Sequence, residues 1–408
     1  MRIGLVCEDF RWGGYGGGIS AYTDSMARSL LDMGHDVHVF RIGLEGYKQH
    51  RTPDGIVCHD VPDYNPRLIG WRTVYWKFFY RYWQGYLFNL RWSVALGSYI
   101  HRLVRQGALD VLEVPETGAR LCWHVHRIGK IIPVCVRLHA PSIITASTTE
   151  FMRPRDLAQI ARLERRLIEG ATCVTAPTHA VVEAVRSQLA VKRTDCTVIP
   201  NPVTVPELSH IGLDAWSKPK IVFVGRLEAL KGVDALLKAF AIVAQEHASV
   251  ELELLGPDAN QYCSEGVVSL MRRFLDEKDC VRLLPRVRWL GSKPRTECHE
   301  RRIEAVCVVV PSRFENFPYA LVEAMSLGCP VVATRVGGMS EILDNGTNGW
   351  LAEPGSPESL AAAIKVILQD PEQAIRVGAA ARAWIRRCCD PTVVARQILN
   401  CYKQAGAS

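Results

Sequence analysis

Short β-branched apolar runs alternate with amphipathic stretches along the whole chain. Arg2-Ile3-Gly4-Leu5-Val6-Cys7, Val37-His38-Val39-Phe40, Val111-Leu112-Glu113-Val114 and Ile132 to Leu138 read as strands buried on both faces. Ile19 to Met33 carries Tyr22, Met26, Leu30 and Met33 at helical spacing and stops at Gly34-His35, and Ser93 to Gln106 reads as a core helix. A helix around Leu163 to Leu167, a strand within Ala171 to Thr178 and a helix through Val185 follow. A second series has strands at Ile221 to Val224, Leu252 to Gly256, Val287 to Gly291, Val306 to Val310 and from Pro330 to Thr334. Its helices cover Val233 to Phe240, Tyr319 to Leu327, Leu360 to Leu368 and Ala374 to Cys388, and an amphipathic tail runs from Val393 to Tyr402. Strand–helix alternation of this kind predicts an α/β protein built on parallel sheets.

Length turns that pattern into two domains, because 408 residues exceed one ordinary domain and fit two of roughly 200 each. The chain is 48% hydrophobic and 22% charged, with no low-complexity tract, which predicts a globular protein with ample core. Met1 to Val6 is already a strand rather than a secretory leader, and no apolar run approaches the ~20 residues of a membrane span. The fourteen cysteines are scattered without C-x-x-C spacing, and Cys7, Cys135, Cys173 and Cys307 sit in strand-like runs as small hydrophobes, so a reducing cytoplasm is expected. A net charge of +7 permits an anionic substrate or membrane surface without demanding either, and no nucleic-acid partner is expected.

The most informative stretch is VVVPSRFENFPYALVEAMSLGCPVVATRVGGMSEILDNGTNGWLAE, Val308 to Glu353. It predicts a strand, a loop at the strand's carboxyl end, a helix with Pro318 at its first position, and another strand. Ligands of open α/β sheets bind outside such loops. Glu315 lies in the loop and Glu323 inside the helix, where an unpaired carboxylate is costly to bury. Two carboxylates so placed can each accept a pair of hydroxyls, with the helix N-terminus between them free for a phosphate. That layout suits a sugar nucleotide, although a solvated Glu315 and an ion-paired Glu323 account for the same two residues equally well.

Three further features add candidate chemistry. In Gly225-Arg226-Leu227-Glu228-Ala229-Leu230-Lys231-Gly232, two cations five apart on a loop entering a helix can straddle a diphosphate. Gly16-x-Gly18-x-x-Ala21 matches a relaxed dinucleotide fingerprint, but its glycines come some ten residues after the strand and Arg41, not an acid, closes the next one. His139 stands at the carboxyl end of the Ile132–Leu138 strand, where a lone His faces the crevice but is more often structural than functional. No metal-ligand cluster is visible, and no cofactor or metal is expected.

Glu315, seven residues, Glu323, then EAM-x-x-G-x-PVVA-x-x-x-GG-x-x-E, together with G-R-L-x-x-x-K-G, resembles the retaining GT-B glycosyltransferases of the large family 4 type. The resemblance runs almost end to end and implies two Rossmann-like domains facing a cleft, over 1–205 and 206–389, with helix 390–408 packing back on the first. It implies metal-independent transfer, with retention, from a UDP- or GDP-sugar to a hydroxyl acceptor: a sugar, a polysaccharide or a lipid-linked glycan, in cell-surface polysaccharide or glycolipid synthesis. His139, Arg226, Lys231 and Glu315 are then the catalytic candidates. Gly17, Gly18, Arg226, Lys231, Glu315, Asn316, Phe317, Pro318 and Glu323 are the donor-binding ones. Pro318 departs from the family, many members of which carry glycine after the Phe. Two alternatives remain, an epimerase or hydrolase on the same fold and a non-catalytic sugar-nucleotide-binding protein.

Tyr64 to Leu109 holds seven Arg or Lys, no acid and four of the ten tryptophans. On a helix, Val74, Tyr75, Phe78, Phe79 and Tyr82 share one face, with Lys77 and Gln84 opposite and Arg72 and Arg81 flanking. Such a helix can lie on an anionic membrane or pack on the first domain with its arginine stems covering apolar surface, and both readings stand. The first places the protein in the cytoplasm at the inner face of the membrane.

Overall fold

The computed structural model describes residues 1–11, 17–43, 46–62, 92–145, 154–207, 212–259 and 262–407. The aromatic and basic helix expected around 74–82 and Gly16 of the glycine-rich loop lie outside them. The chain forms two compact units, Met1–Pro202 with Pro391–Ser408, and Val203–Asp390.

The first unit is an eight-stranded sheet of β1 (Arg2–Val6), β2 (Asp36–Gly43), β3 (Lys48–Arg51), β4 (Val57–Pro62), β5 (Val111–Pro115), β6 (Val134–Arg137), β7 (Cys173–Ala176) and β8 (Thr197–Val198). The spatial order is β3-β4-β2-β1-β5-β6-β7-β8, parallel throughout except for β3 against β4. β3 is fully exposed and carries Lys48 and Arg51, charges that discourage further pairing at a sheet edge. Its described helices are α1 (Gly18–Asp32), α2 (92–105), α3 (Val125–Gly129), α4 (Ser142–Thr145), α5 (Pro154–Glu169) and α6 (His179–Leu189). Successive strand residues point to opposite faces, so Ile3 and Leu5 enter one core while Val6, Leu112 and Val114 enter the other.

The second unit has a six-stranded, all-parallel sheet: β9 (Lys220–Val224), β10 (Glu251–Leu255), β11 (Val287–Gly291), β12 (Cys307–Val310), β13 (Val331–Thr334) and β14 (Trp350–Ala352). Its order is β11-β10-β9-β12-β13-β14. The helices are α7 (Val233–Glu246), α8 (Val267–Phe274), α9 (Glu277–Leu283), α10 (Arg295–Ile303), α11 (Tyr319–Ser326), α12 (Met339–Ile342), α13 (Pro357–Gln369) and α14 (Pro371–Cys388). One core joins the sheet to α7, α8, α9 and α13, and the other joins it to α10, α11, α12 and α14. Pro318 sits at the N-cap of α11 rather than in its first turn. Its carbonyl accepts from Leu321 and Val322, so it is the last extended residue before the helix.

The final helix, α15 (Pro391–Ala407), belongs to the first unit. Val394, Ala395, Ile398, Leu399 and Tyr402 are buried beside Tyr22, Met26 and Leu30 of α1. The sheet of this unit is thus covered on one face partly by residues that follow the whole second unit in sequence.

In each sheet the strand order reverses beside the first strand. β9 has β10 on one side and β12 on the other, and β1 has β2 and β5. Crevices at the carboxyl ends of such strand pairs are where open α/β sheets bind ligands.

Candidate active site

In the second unit the loops after β9 and β12 meet at the reversal point, and glycines set how closely they approach. Gly232 adopts φ +70°, and a Cβ there would overlap the Pro311 carbonyl oxygen. Gly337, at φ +47°, presses in the same way on the carbonyl of Glu315, whose oxygen also accepts from Gly338 N at 3.1 Å. Both positions therefore require glycine. Arg313 ties the two loops, its backbone N–H donating to Leu230 O at 2.8 Å and its guanidinium pairing with Asp234 at 2.6 Å.

This packing brings Lys231 and Glu315 together, with Nζ 2.6 Å from Oε1. Ser312 Oγ donates to the same carboxylate oxygen at 3.0 Å. One of the three ammonium protons of Lys231 is used here, and two remain for a ligand. Arg226 lies on the same loop, half exposed, 3.0 Å from Glu228 Oε1. That approach is close for charges, yet the buried Oε1 receives no aligned hydrogen bond, so Arg226 is loosely held.

Glu323 sits on α11, eight residues after Glu315 in the preceding loop, and α10 determines its surroundings. Buried Arg302 donates to Oε2 at 2.8 Å, and Arg295 lies 3.0 Å from Oε1. Arg295 and Arg302 are seven apart and share a helix face, a signal present in the sequence but overlooked in reading it. Each Glu323 oxygen keeps a lone pair for a further donor. Phe317 is buried and meets Tyr319 at 5.9 Å, a wall for the loop that carries Asn316.

In the first unit the backbone N–H of His139 donates to both Glu116 oxygens at 2.9 Å, and its ring meets Tyr22 edge-on at 5.1 Å. Burial, then the charge of Arg137, pushes the His139 pKa down to about 3, so the imidazole is neutral at physiological pH. Beneath it lies a polar network that the sequence reading missed. Tyr22 and Tyr402 donate to the two oxygens of Glu113 at 2.9 and 2.8 Å, and Arg137 stacks over the Tyr22 ring. A lone Glu in Val-Leu-Glu-Val and a lone Arg in Val-Cys-Val-Arg were the available signs. Burial raises the pKa of Glu113 and, with help from Glu164, lifts that of Glu116 to about 8.

Gly17 and Gly18 open α1. Gly17 is its N-cap with an ordinary extended backbone, and its N–H donates to Asp9 Oδ2 at 3.2 Å. The chain thus supplies its own anion to this helix N-terminus. The site residues accordingly form two groups: Arg226, Lys231, Glu315, Asn316, Phe317, Pro318 and Glu323 on one sheet, and Gly17, Gly18 and His139 on the other. Among the described residues, no group of three His, Cys, Asp or Glu is placed to hold a metal ion, and all fourteen cysteines are free.

Comparison with known proteins gives two family matches. Residues 213–384 match the glycosyl transferases group 1 and residues 17–202 match the glycosyl transferase 4-like domain. The D-inositol 3-phosphate glycosyltransferase of Corynebacterium kroppenstedtii is 34% identical over 164 residues, 39% of this chain. The match spans about a third, 34%, of that relative's length. Sucrose-phosphate synthase from Thermosynechococcus elongatus has a similar structure, with a TM-score of 0.76 and 21% identity over 100% of this chain and 99% of that one. Anabaena HepE in complex with UDP-glucose gives a TM-score of 0.68 and 20% identity, over 99% and 100% of the two chains. The fold is GT-B, with two parallel-sheet domains.

Proposed function

The chain belongs to the glycosyl transferases group 1 and has the GT-B fold, and on that premise we propose that it moves a sugar, with retention, from a UDP- or GDP-sugar to a hydroxyl acceptor. The observation that carries this reading is the pairing of Lys231 with Glu315 where strand order reverses. A cation for a diphosphate and a carboxylate for sugar hydroxyls stand side by side there, and Glu323 is held with spare acceptor capacity for a ribose. HepE, of the same fold, was solved with UDP-glucose, which supports a nucleotide-sugar donor.

In this reading the bond from the anomeric carbon to the diphosphate breaks as the acceptor oxygen bonds to that carbon from the same face, and the hydroxyl proton passes to the departing diphosphate. Arg226 and Lys231 stabilise the leaving diphosphate as its charge grows, so no metal is needed for that task. Glu315 grips the sugar and Glu323 the ribose. His139, neutral and anchored through its backbone, is the catalytic candidate of the first unit. The acceptor in this reading is a sugar, a polysaccharide or a lipid-linked glycan.

Thermal shift with UDP-glucose, UDP-N-acetylglucosamine, UDP-galactose and GDP-mannose tests the donor, since a ligand bound only by the folded state raises the midpoint. A rise with one of them, lost in Arg226→Ala and Lys231→Ala, is expected, and no response to any would overturn the reading. Acceptor-dependent transfer by the purified protein separates it from a non-catalytic binding protein. For the acid-free 64–109 segment, flotation with anionic liposomes at low salt is expected to carry the protein upward. Protein left at the bottom would assign that segment to the fold.

A further inference from the structure

One cavity in the second unit lies apart from the Lys231–Glu315 pair. It encloses about 640 Å³ between α12, the turn that follows it and the last turns of α14. Pockets of this size accommodate small-molecule ligands. On the helix side, Ala380, Ala383, Trp384 and Arg387 fall at spacings of three and four, so they form one face. Trp384 is half-buried and packs on the core, and on its N-terminal side its helical neighbours in the cavity are the small Ala380 and Ala383, with Arg387 one turn further on.

The opposite wall is pre-organised. The Asn348 side chain accepts from Asp344 N at 2.7 Å and donates to Ile342 O at 3.0 Å, while Gly346 N donates to Gly349 O at 2.7 Å. Buried Ile342 and Leu343 anchor the turn below. What the cavity walls present is hydrogen-bonding capacity left unused. Among the described residues, the side chains of Ser340, Asp344, Thr347 and Arg387 have no hydrogen-bond or ion-pair partner.

The lining selects a ligand class. Glu341 and Asp344 outnumber Arg387, which disfavours a phosphate, and the polar rim does not suit an apolar molecule. A pyranose offers a face of C–H groups to an indole and a ring of hydroxyls to carboxylate, guanidinium and hydroxyl partners, which matches this wall group for group. We propose that the cavity between α12 and α14 is a second saccharide-binding site, distinct from the donor site. If the protein elongates a glycan, a hold on the chain away from the reacting end would raise the local acceptor concentration. The binding itself does not depend on the transfer reading.

The test titrates the full chain with maltotriose, cellotriose, mannotriose and N,N′,N″-triacetylchitotriose by calorimetry, without nucleotide. At least one is expected to bind with a millimolar or tighter Kd. Trp384→Ala should weaken it at least tenfold and leave UDP and GDP titrations unchanged. Because Trp384 also packs on the core, Asp344→Ala on the exposed turn is the second variant, expected to weaken the same trisaccharide at least threefold at an unchanged melting temperature. Lys231→Ala should leave trisaccharide binding intact while losing nucleotide binding, which separates failure of this site from failure of the donor site. Absence of binding by all four sugars, or binding unaffected by both cavity variants, overturns the proposal.

Discussion

Lys231 and Glu315 form the pair whose perturbation says most about the donor site. Their charged atoms are 2.6 Å apart and the side chains are only 22% and 14% exposed. At an effective dielectric near 20 the gross attraction is about 6 kcal/mol. Desolvation of both charges offsets much of it, leaving a net coupling on the order of 1–3 kcal/mol. Without ligand, Glu315 therefore neutralises the cation assigned to the diphosphate. Glu315→Gln keeps a side-chain acceptor but frees Lys231, so UDP or GDP should bind as well as before or up to about tenfold tighter, ~1.4 kcal/mol. Lys231→Ala acts in the opposite direction twice. It removes a charge-assisted bond worth ~1.5–3 kcal/mol and leaves a half-buried carboxylate facing an anion, so binding should weaken by roughly 10–100-fold or more. The double variant loses the cation without the repulsion and should bind better than Lys231→Ala alone. Calorimetry of UDP and GDP with all four proteins closes the cycle. Equal weakening by Glu315→Gln and Lys231→Ala, or a double variant no better than Lys231→Ala, would refute the reasoning.

Four other outcomes are expected. Glu116, with its pKa lifted to about 8, holds a proton that the unfolded chain releases near 4.3, so stability should fall as pH rises between those values, by up to ~1.4 kcal/mol per unit. Glu116→Gln should flatten that slope in urea titrations at pH 6 and 8, and identical slopes would contradict the assignment. Gly337→Ala should displace the Glu315 loop and cut turnover at least tenfold, at a cost of roughly 1–3 kcal/mol in stability. Gly346→Ala, strained at φ +78° but in open space, should lose stability without losing turnover. Tyr402→Phe leaves one oxygen of buried Glu113 without its donor and should cost ~1.5–3 kcal/mol in denaturant unfolding, and a loss below about 0.5 would contradict the network.

The strand–helix alternation was legible because buried parallel strands are runs of Val, Ile and Leu, as in Cys307-Val308-Val309-Val310. β3 and β4 were not found. Lys48-Gln49-His50-Arg51 is an exposed edge without apolar alternation, and β4 hides His59 and Asp60 among its valines. The short helices α8, α9, α10 and α12 were missed because their apolar stripes are brief; α10 buries only Cys298 and Arg302. Glu315 and Lys231 could be singled out from motif spacing, but their contact could not, since it depends on Gly232 and Gly337 letting distant loops close. The arginines around Glu323 and the Glu113 network were equally hidden, because buried charges are chosen by partners far away in sequence: Tyr402 meets Glu113 across 289 residues. Asp9 at the start of α1 was overlooked for the same reason.

The most direct measurement follows the anomeric proton by NMR while the protein consumes an anomerically pure α-linked UDP- or GDP-sugar with a panel of hydroxyl acceptors. The account predicts nucleoside diphosphate release that depends on acceptor, a new glycosidic bond with the donor's α configuration, and loss of both signals in Arg226→Ala and Lys231→Ala. A β-linked product, or undiminished transfer by both variants, would contradict it.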